Sequence, residues 1–219
     1  MSGTSTVVSC EHFDYISSRT QAEDPFLVEL KHAASEAGIP AIWIAHEQAR
    51  FLELLVRSAS AQLIVEVGTL AGYSAICMAR GLSGDGRLVS IEASGKHASF
   101  AQEWISRSDV SDRIEVKHGL GVDVLPGVST ESADIVFLDA DKRNYIHYLD
   151  EARRVLKDDG LLLVDNAFAF GQLFEDGCED GSVLALRAFN DALAADPDFD
   201  GVMVPLGDGV WMARRLPRG

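Results

Sequence analysis

The chain predicts an α/β fold, a doubly wound and mainly parallel sheet with helices on both faces. Three observations carry that reading. From residue 61 onward, short β-branched apolar runs alternate with segments of helical periodicity, the pattern of strand, crossover helix and next parallel strand. The run Leu63-Ile64-Val65-Glu66-Val67 closes on Gly68 and, after Gly72, gives way to the helical-looking Tyr73 to Leu82, which reads as strand, tight turn, helix. Near the C-terminus the Asp-Gly pair in Leu206-Gly207-Asp208-Gly209 marks a hairpin, so at least one antiparallel strand joins the sheet.

Residues 1–60 form a helical annex with segments near Phe13–Ser17, Asp24–Ala37 and His46–Ser58. Asp24-Pro25 is a good helix start, an N-cap acid before a proline at the first helical position, and Gly38-Ile39-Pro40 ends that helix. In the third segment Phe51, Leu54, Leu55 and Ser58 share one face, predicted to pack beside the first strand. The annex is expected to cover the sheet edge or to serve as a lid or dimer contact. Ile44 and Ala45 are placed to border a ligand. Strands are predicted at 62–67, 87–91, 113–117, 134–138 and 160–164, with helices near 73–82, 95–107, 121–125 and 144–156 between them. Lys157-Asp158-Asp159-Gly160 reads as a turn into the fifth strand; beyond that strand come a Gly- and acid-rich loop, a helix from Ser182 to Ala194, and closing strands at 201–205 and 210–215.

Composition narrows the function. The 219 residues lack a linker or composition break, so 1–219 is expected to be a single domain, annex 1–60 and core 61–219. A formal net charge of −15 opposes long-range attraction to nucleic acid or anionic membrane and favours a small-molecule partner. Cys10, Cys77 and Cys178 are odd in number and outside any C-x-x-C pattern, which suggests neither a disulfide framework nor zinc. Met1 to Thr6 has neither a basic n-region nor an apolar h-region, so a cytoplasmic protein is expected.

The glycine spacing separates two cofactor classes. Dinucleotide sites use G-x-G-x-x-G to cradle a pyrophosphate, whereas here the pattern is E-x-G-x-x-x-G with a carboxylate just before the turn. Glu66 suits a ligand with a cationic amino acid end, and Glu92, closing the second strand, is placed to accept hydrogen bonds from ribose hydroxyls. S-adenosylmethionine has both features. Two further strand ends are rich in hard oxygen donors: Leu138 runs into Asp139-Ala140-Asp141-Lys142, and Val164 into Asp165-Asn166. If those strands are neighbours, Asp139, Asp165 and Asn166 converge into a site for Mg²⁺ or another hard divalent cation such as Mn²⁺ or Ca²⁺. Acids at strand ends more often cap helices, but both ends together favour the cation. Lys142, three residues past Asp139, is the candidate general base.

These motifs, Glu66-Val-Gly-Thr-Leu-Ala-Gly-Tyr-Ser74, Asp139-Ala-Asp-Lys-Arg-Asn-Tyr145, Asp165-Asn166 and Pro205-Leu-Gly-Asp-Gly209, resemble those of the cation-dependent class I O-methyltransferases that include caffeoyl-CoA and catechol O-methyltransferases. The resemblance spans residues 13–216. It implies a seven-stranded Rossmann-like sheet with an antiparallel last strand, a homodimer, and transfer of the S-adenosylmethionine methyl group to one hydroxyl of a vicinal diphenol. It further implies Asp139, Asp165 and Asn166 as metal ligands, Lys142 as base, Glu66, Gly68, Thr69 and Ser74 around the methionine end, Glu92 on the ribose, Gly121 near the adenine, Asp141 beside the amino acid end, and backbone contact at Ile44. Ala71 stands where Thr is usual, Gly121 where Ala is common, and Ala167-Phe168-Ala169-Phe170 replaces a Val-Leu-Trp-like stretch on the acceptor side. Phe168, Phe170, Phe174 and Trp211 are candidate walls for an aromatic acceptor. The acidic loop Glu175–Gly181 is expected to be a solvated charge run or a rim that repels an anionic CoA chain. Two alternatives stand beside this reading: a methyltransferase for hydroxylated uridine in tRNA, disfavoured by the acidic charge, and an NAD-binding oxidoreductase, disfavoured by the glycine spacing.

Overall fold

The computed structural model describes residues 8–218. The Met1 to Thr6 stretch lies outside the described residues. The elements run α1 (Cys10–Arg19), α2 (Pro25–Glu36), α3 (His46–Ser58), β1 (Leu63–Val67), α4 (Tyr73–Ala79), β2 (Arg87–Glu92), α5 (Gly95–Ser106), β3 (Ile114–His118), α6 (Gly121–Val124), β4 (Ala133–Leu138), α7 (Tyr145–Val155), β5 (Leu156–Val164), α8 (Gly181–Ala194), β6 (Phe199–Val204) and β7 (Val210–Arg215). One seven-stranded sheet has the order β3-β2-β1-β4-β5-β7-β6. The pairs among β1 to β5 are parallel, and β7 runs antiparallel to both β5 and β6.

Alternation along the buried strands feeds two cores. Ile64, Leu88, Ile135, Phe137 and Leu163 face the side covered by α2 to α5. Val65, Val67, Ile91, Val136, Leu138 and Val164 face the side covered by α7 and α8. The order reverses at β1, where β2 lies on one side and β4 on the other, and such a switch point opens a crevice at the carboxyl ends of the strands. Among the described residues no helix is long and apolar enough to cross a membrane.

The start of α2 forms as expected: the Asp24 side chain accepts from Phe26 N at 2.9 Å, with Pro25 at the first helical position. Four expectations change. The first helix extends beyond its apolar centre to Cys10–Arg19. The annex covers neither sheet edge, since the edges are β3 and β6; its α2 and α3 instead join the core over one sheet face. The buried face of α3 is Gln48, Ala49, Leu52, Glu53 and Val56, while Leu54 is 51% exposed and Ser58 is exposed. Polar Gln48 goes inward because Asp165 awaits its amide there, and Glu53 is satisfied by Arg50 and Arg57 of its own helix. Finally, Lys157–Gly160 is a bulge inside β5: Leu156 pairs with Ala133 and Leu161 with Ile135, so the intervening residues loop out opposite Asp134.

Candidate active site

A cavity of about 400 Å³ opens over the carboxyl ends of β1, β2 and β4. Of the residues singled out from the sequence, Gly68, Glu92, Gly121, Asp139, Asp141, Lys142 and Asn166 line it, together with Pro40 and Ile42 from the annex, His97 from α5, Tyr148 from α7 and Phe170. Ile44, Thr69 and Ser74 line an adjoining narrow recess that also touches Gly68 and Asp139. The turn after β1 requires glycine: Gly68 has φ +104°, and a Cβ there would lie 1.9 Å from the Asp139 carbonyl oxygen. Backbone from two strand ends is thereby brought into contact at the mouth.

On the β1–β2 side the carboxylates are held by the protein itself. Glu66 is fully buried and accepts from the Ser74 hydroxyl at 2.5 Å and from the Ser90 hydroxyl, which in turn meets Thr69 Oγ1 at 2.5 Å. Burial pushes its carboxyl up to about 7 against the pull of those hydroxyls, and the charges of Asp139 and Glu92 add to the rise. Glu66 therefore lies beneath the cavity floor instead of lining it. Glu92 accepts backbone N–H groups from Thr69 at 3.2 Å, Leu70 at 2.8 Å and Ser94 at 2.8 Å, and so shapes the turn that borders the cavity.

On the β4–β5 side the donors and acceptors are less balanced. Asp139 and Asp165 follow neighbouring strands, and their backbone N–H groups extend the ladder onto Val67 O and Leu138 O. Burial raises the Asp139 carboxyl, with Lys142 opposing. Burial pushes Asp165 up to about 7, and the negative charge of Asp139 raises it further, while the Gln48 amide counteracts. Lys142 Nζ donates to Tyr145 Oη at 2.6 Å and Asn166 Oδ1 at 2.8 Å, and lies 3.5 Å from Asp139 Oδ1. Asp141, in contrast, is exposed at the cavity and accepts from Tyr148 Oη at 2.7 Å and from the Asn144 amide.

No group of three His, Cys, Asp or Glu side chains arranged to hold a metal occurs among the described residues. The donor set is instead two carboxylates and one amide oxygen. A buried Asp165 whose proton affinity is raised by the half-buried Asp139, beside the Asn166 amide oxygen, fits a hard divalent cation, which would relieve the repulsion and leave positions for water and substrate oxygens.

The cavity rim on the β5 side is framed by the segment after Asp165. Asn166, Ala169 and Phe170 all have positive φ, and Phe170 N donates to both Asp208 carboxylate oxygens at 2.9 and 2.8 Å. The Phe170 ring is 77% exposed at the cavity rim. Phe174 packs on Phe168 with centroids 5.7 Å apart. Trp211 is no wall: it is buried, and its Nε1 donates to Asn190 Oδ1 at 2.8 Å inside the second core. Residues Glu175–Gly177, Glu179 and Asp180 are exposed, as a solvated charge run should be, and Asp180 caps α8 by accepting from Ser182 N and Val183 N. Sequence reasoning missed Gln48, Tyr145, Tyr148 and His97 as site residues. Periodicity could have placed the two tyrosines on one face of α7, but no local signal points Gln48 inward.

The family model described as O-methyltransferase matches residues 16–216. The chain belongs to that O-methyltransferase family. This O-methyltransferase is 36% identical over 195 residues to a catechol O-methyltransferase of Niastella koreensis, with 88% of each chain covered. It is 33% identical to a catechol O-methyltransferase of Mycobacterium tuberculosis over 87% of this chain and 86% of that one. Among solved structures, the O-methyltransferase from Bacillus cereus in complex with SAH superposes with a TM-score of 0.86 at 35% identity, covering 92% of this chain and 96% of that one. One from Streptomyces achromogenes, involved in tomaymycin synthesis and solved in complex with SAM, gives 0.85 at 30% identity over 94% and 96%. Membership in this family removes the NAD-binding oxidoreductase alternative.

Proposed function

We propose that this O-methyltransferase transfers the methyl group of S-adenosylmethionine, in a reaction dependent on a hard divalent cation, to one hydroxyl of a small catechol-like acceptor. The observation that carries the reading is the convergence of Asp139, Asn166 and Lys142 at the cavity, with Asp165 buried close enough to Asp139 to feel its charge. Relatives named as catechol O-methyltransferases, and neighbours solved with SAM or its product SAH, support it.

Asp139, Asp165 and Asn166 would hold the cation, whose chemistry when bound is Lewis-acid stabilisation of a phenolate. Lys142 Nζ takes the hydroxyl proton. Its neighbour Tyr145 is buried and has its ionisation driven well upward, so it stays a phenol, able to accept from the ammonium or donate to the amine. The same contact thus serves Lys142 in both protonation states. The acceptor oxygen attacks the methyl carbon in line; the O–C bond forms as the S–C bond breaks, and sulfur leaves as a neutral thioether. Orientation of the two reactants across the β1–β4 crevice accounts for much of the acceleration. The cofactor's amino acid end is assigned to the part of the cavity at Gly68, beside the recess bounded by Ile44, Thr69 and Ser74, its ribose to Glu92 and its adenine to the Gly121 side. A homodimer belongs to the same proposal, and light scattering tests it.

The deciding experiment is a two-by-two assay by mass spectrometry, diphenol or matching monophenol, with or without EDTA. Only the diphenol without EDTA should be methylated, and added Mg²⁺ should restore the chelated wild type but hardly Asp165→Ala. Full turnover in EDTA by protein shown metal-free by elemental analysis refutes cation dependence.

A further inference from the structure

We propose that Gln48 is a positioning residue for the cation site, by which the annex reaches across the molecule to orient the Asp165 carboxylate. The inference rests on the cation reading above. Gln48 sits in the first turn of α3, only 1% exposed, and its Nε2 donates to Asp165 Oδ1 at 2.5 Å from 117 positions away in the chain. A primary amide is expensive to bury, and an apolar side chain would suit a helix face otherwise formed by Ala49, Leu52 and Val56. The amide therefore has a specific task at this position.

A second, independent observation is the close approach of the hairpin loop to the same amide. Gly207, in the loop between β6 and β7, has φ +58°, and a Cβ built there would lie 2.0 Å from Gln48 Oε1. Gln48 is thus wedged between the hairpin loop and Asp165. An N–H held on one oxygen of a carboxylate limits its rotation, and ligating carboxylates depend on such outer partners: losing one ordinarily weakens metal affinity about 10–100-fold.

The test uses the full chain stripped of metal and titrated with Mn²⁺, free ion being read by electron paramagnetic resonance, for wild type, Gln48→Leu and Gly207→Ala. Gln48→Leu should weaken Mn²⁺ binding by about 10–100-fold. Gly207→Ala should shift it in the same direction by displacing the amide, which keeps the test alive if Gln48→Leu fails to fold. S-adenosylmethionine affinity of the metal-free variants should stay within about twofold of wild type, a split that a purely structural role would not produce. Wild type that binds one Mn²⁺, with folded variants that bind it equally well, overturns the role of Gln48 alone. Wild type that binds no Mn²⁺ overturns the cation reading and this inference with it.

Discussion

The two halves of the carboxyl edge are built from the same residue types to opposite ends. At β1 and β2, two glutamates are held in place by the protein's own donors: hydroxyls of Ser74 and Ser90 on Glu66, and backbone amides of Thr69, Leu70 and Ser94 on Glu92. At β4 and β5, two aspartates crowd one another with one lysine, one glutamine amide and one asparagine nearby. Preformed hydrogen bonds make the first half a rigid mould. Unbalanced charge makes the second half the one to which the proposed cation and the moving proton are assigned. Acid content alone does not separate a mould from a reaction centre; the supply of donors does.

The sharpest way to break this comparison is at Lys142. Lys142→Ala is expected to lower kcat by about 10²–10⁴, the range of a positioned acid or base, with S-adenosylmethionine affinity nearly unchanged. Single-turnover kinetics beside calorimetry measure both, and full kcat at neutral pH would remove Lys142 from the chemistry.

Next in size is a pH effect that both halves share until a cation is added. Glu66 is raised from its ordinary 4.5, and Asp165 from 3.8, each to about 7. Between those limits the folded state binds more protons than the unfolded one, so stability falls as pH rises, by on the order of 3 kcal/mol for each group. Urea unfolding of metal-free protein at pH 5 and pH 8 should show this loss, and Glu66→Gln should remove its own share. Mg²⁺ should cancel the Asp165 share and leave that of Glu66. Equal cancellation in both halves would erase the distinction drawn between them.

A smaller effect is expected at Glu92. Glu92→Ala leaves three backbone donors near the cavity without their acceptor, and should weaken S-adenosylmethionine binding by roughly 1–3 kcal/mol and lower thermal stability as well. Calorimetry that finds wild-type affinity would exclude Glu92 from the cofactor site. The smallest effect concerns the acceptor wall. Phe170→Ala should raise the acceptor KM roughly 2–10-fold, the scale of one aromatic contact, while Trp211→Phe, deep in the core, should leave KM alone. Steady-state kinetics that reverse this order would return Trp211 to the wall.

Much of this architecture was legible because it is local. β1, β2 and β4 announce themselves by β-branched runs, Gly68 by a turn that no other residue fits, and Asp139, Asp165 and Asn166 by their place at strand ends. What was not legible depends on distant partners. The inward turn of Gln48 on α3 is decided by Asp165, 117 positions away, not by the leucines that periodicity favours. Trp211 looked like a wall until Asn190, itself donating to Ala167 O, claimed its indole N–H. That Glu66 lies under the cavity follows from Ser90, a residue on another strand with no motif of its own.

The placement of β7 carries a consequence for how the molecule is made. This strand is the last in chain order, yet it lies between β5 and β6, so β6 has no sheet partner until β7 has been synthesised. During translation, at roughly 5–20 residues per second, β5 is left as an open edge for the time needed to make about 50 more residues. The loop that seats Gly207 against Gln48 is drawn into place by the same late insertion. A ribosome that stalls before Val210 therefore leaves a chain that has every proposed cation ligand but presents them on an unfinished, adhesive edge, a form that chaperones and proteases should recognise.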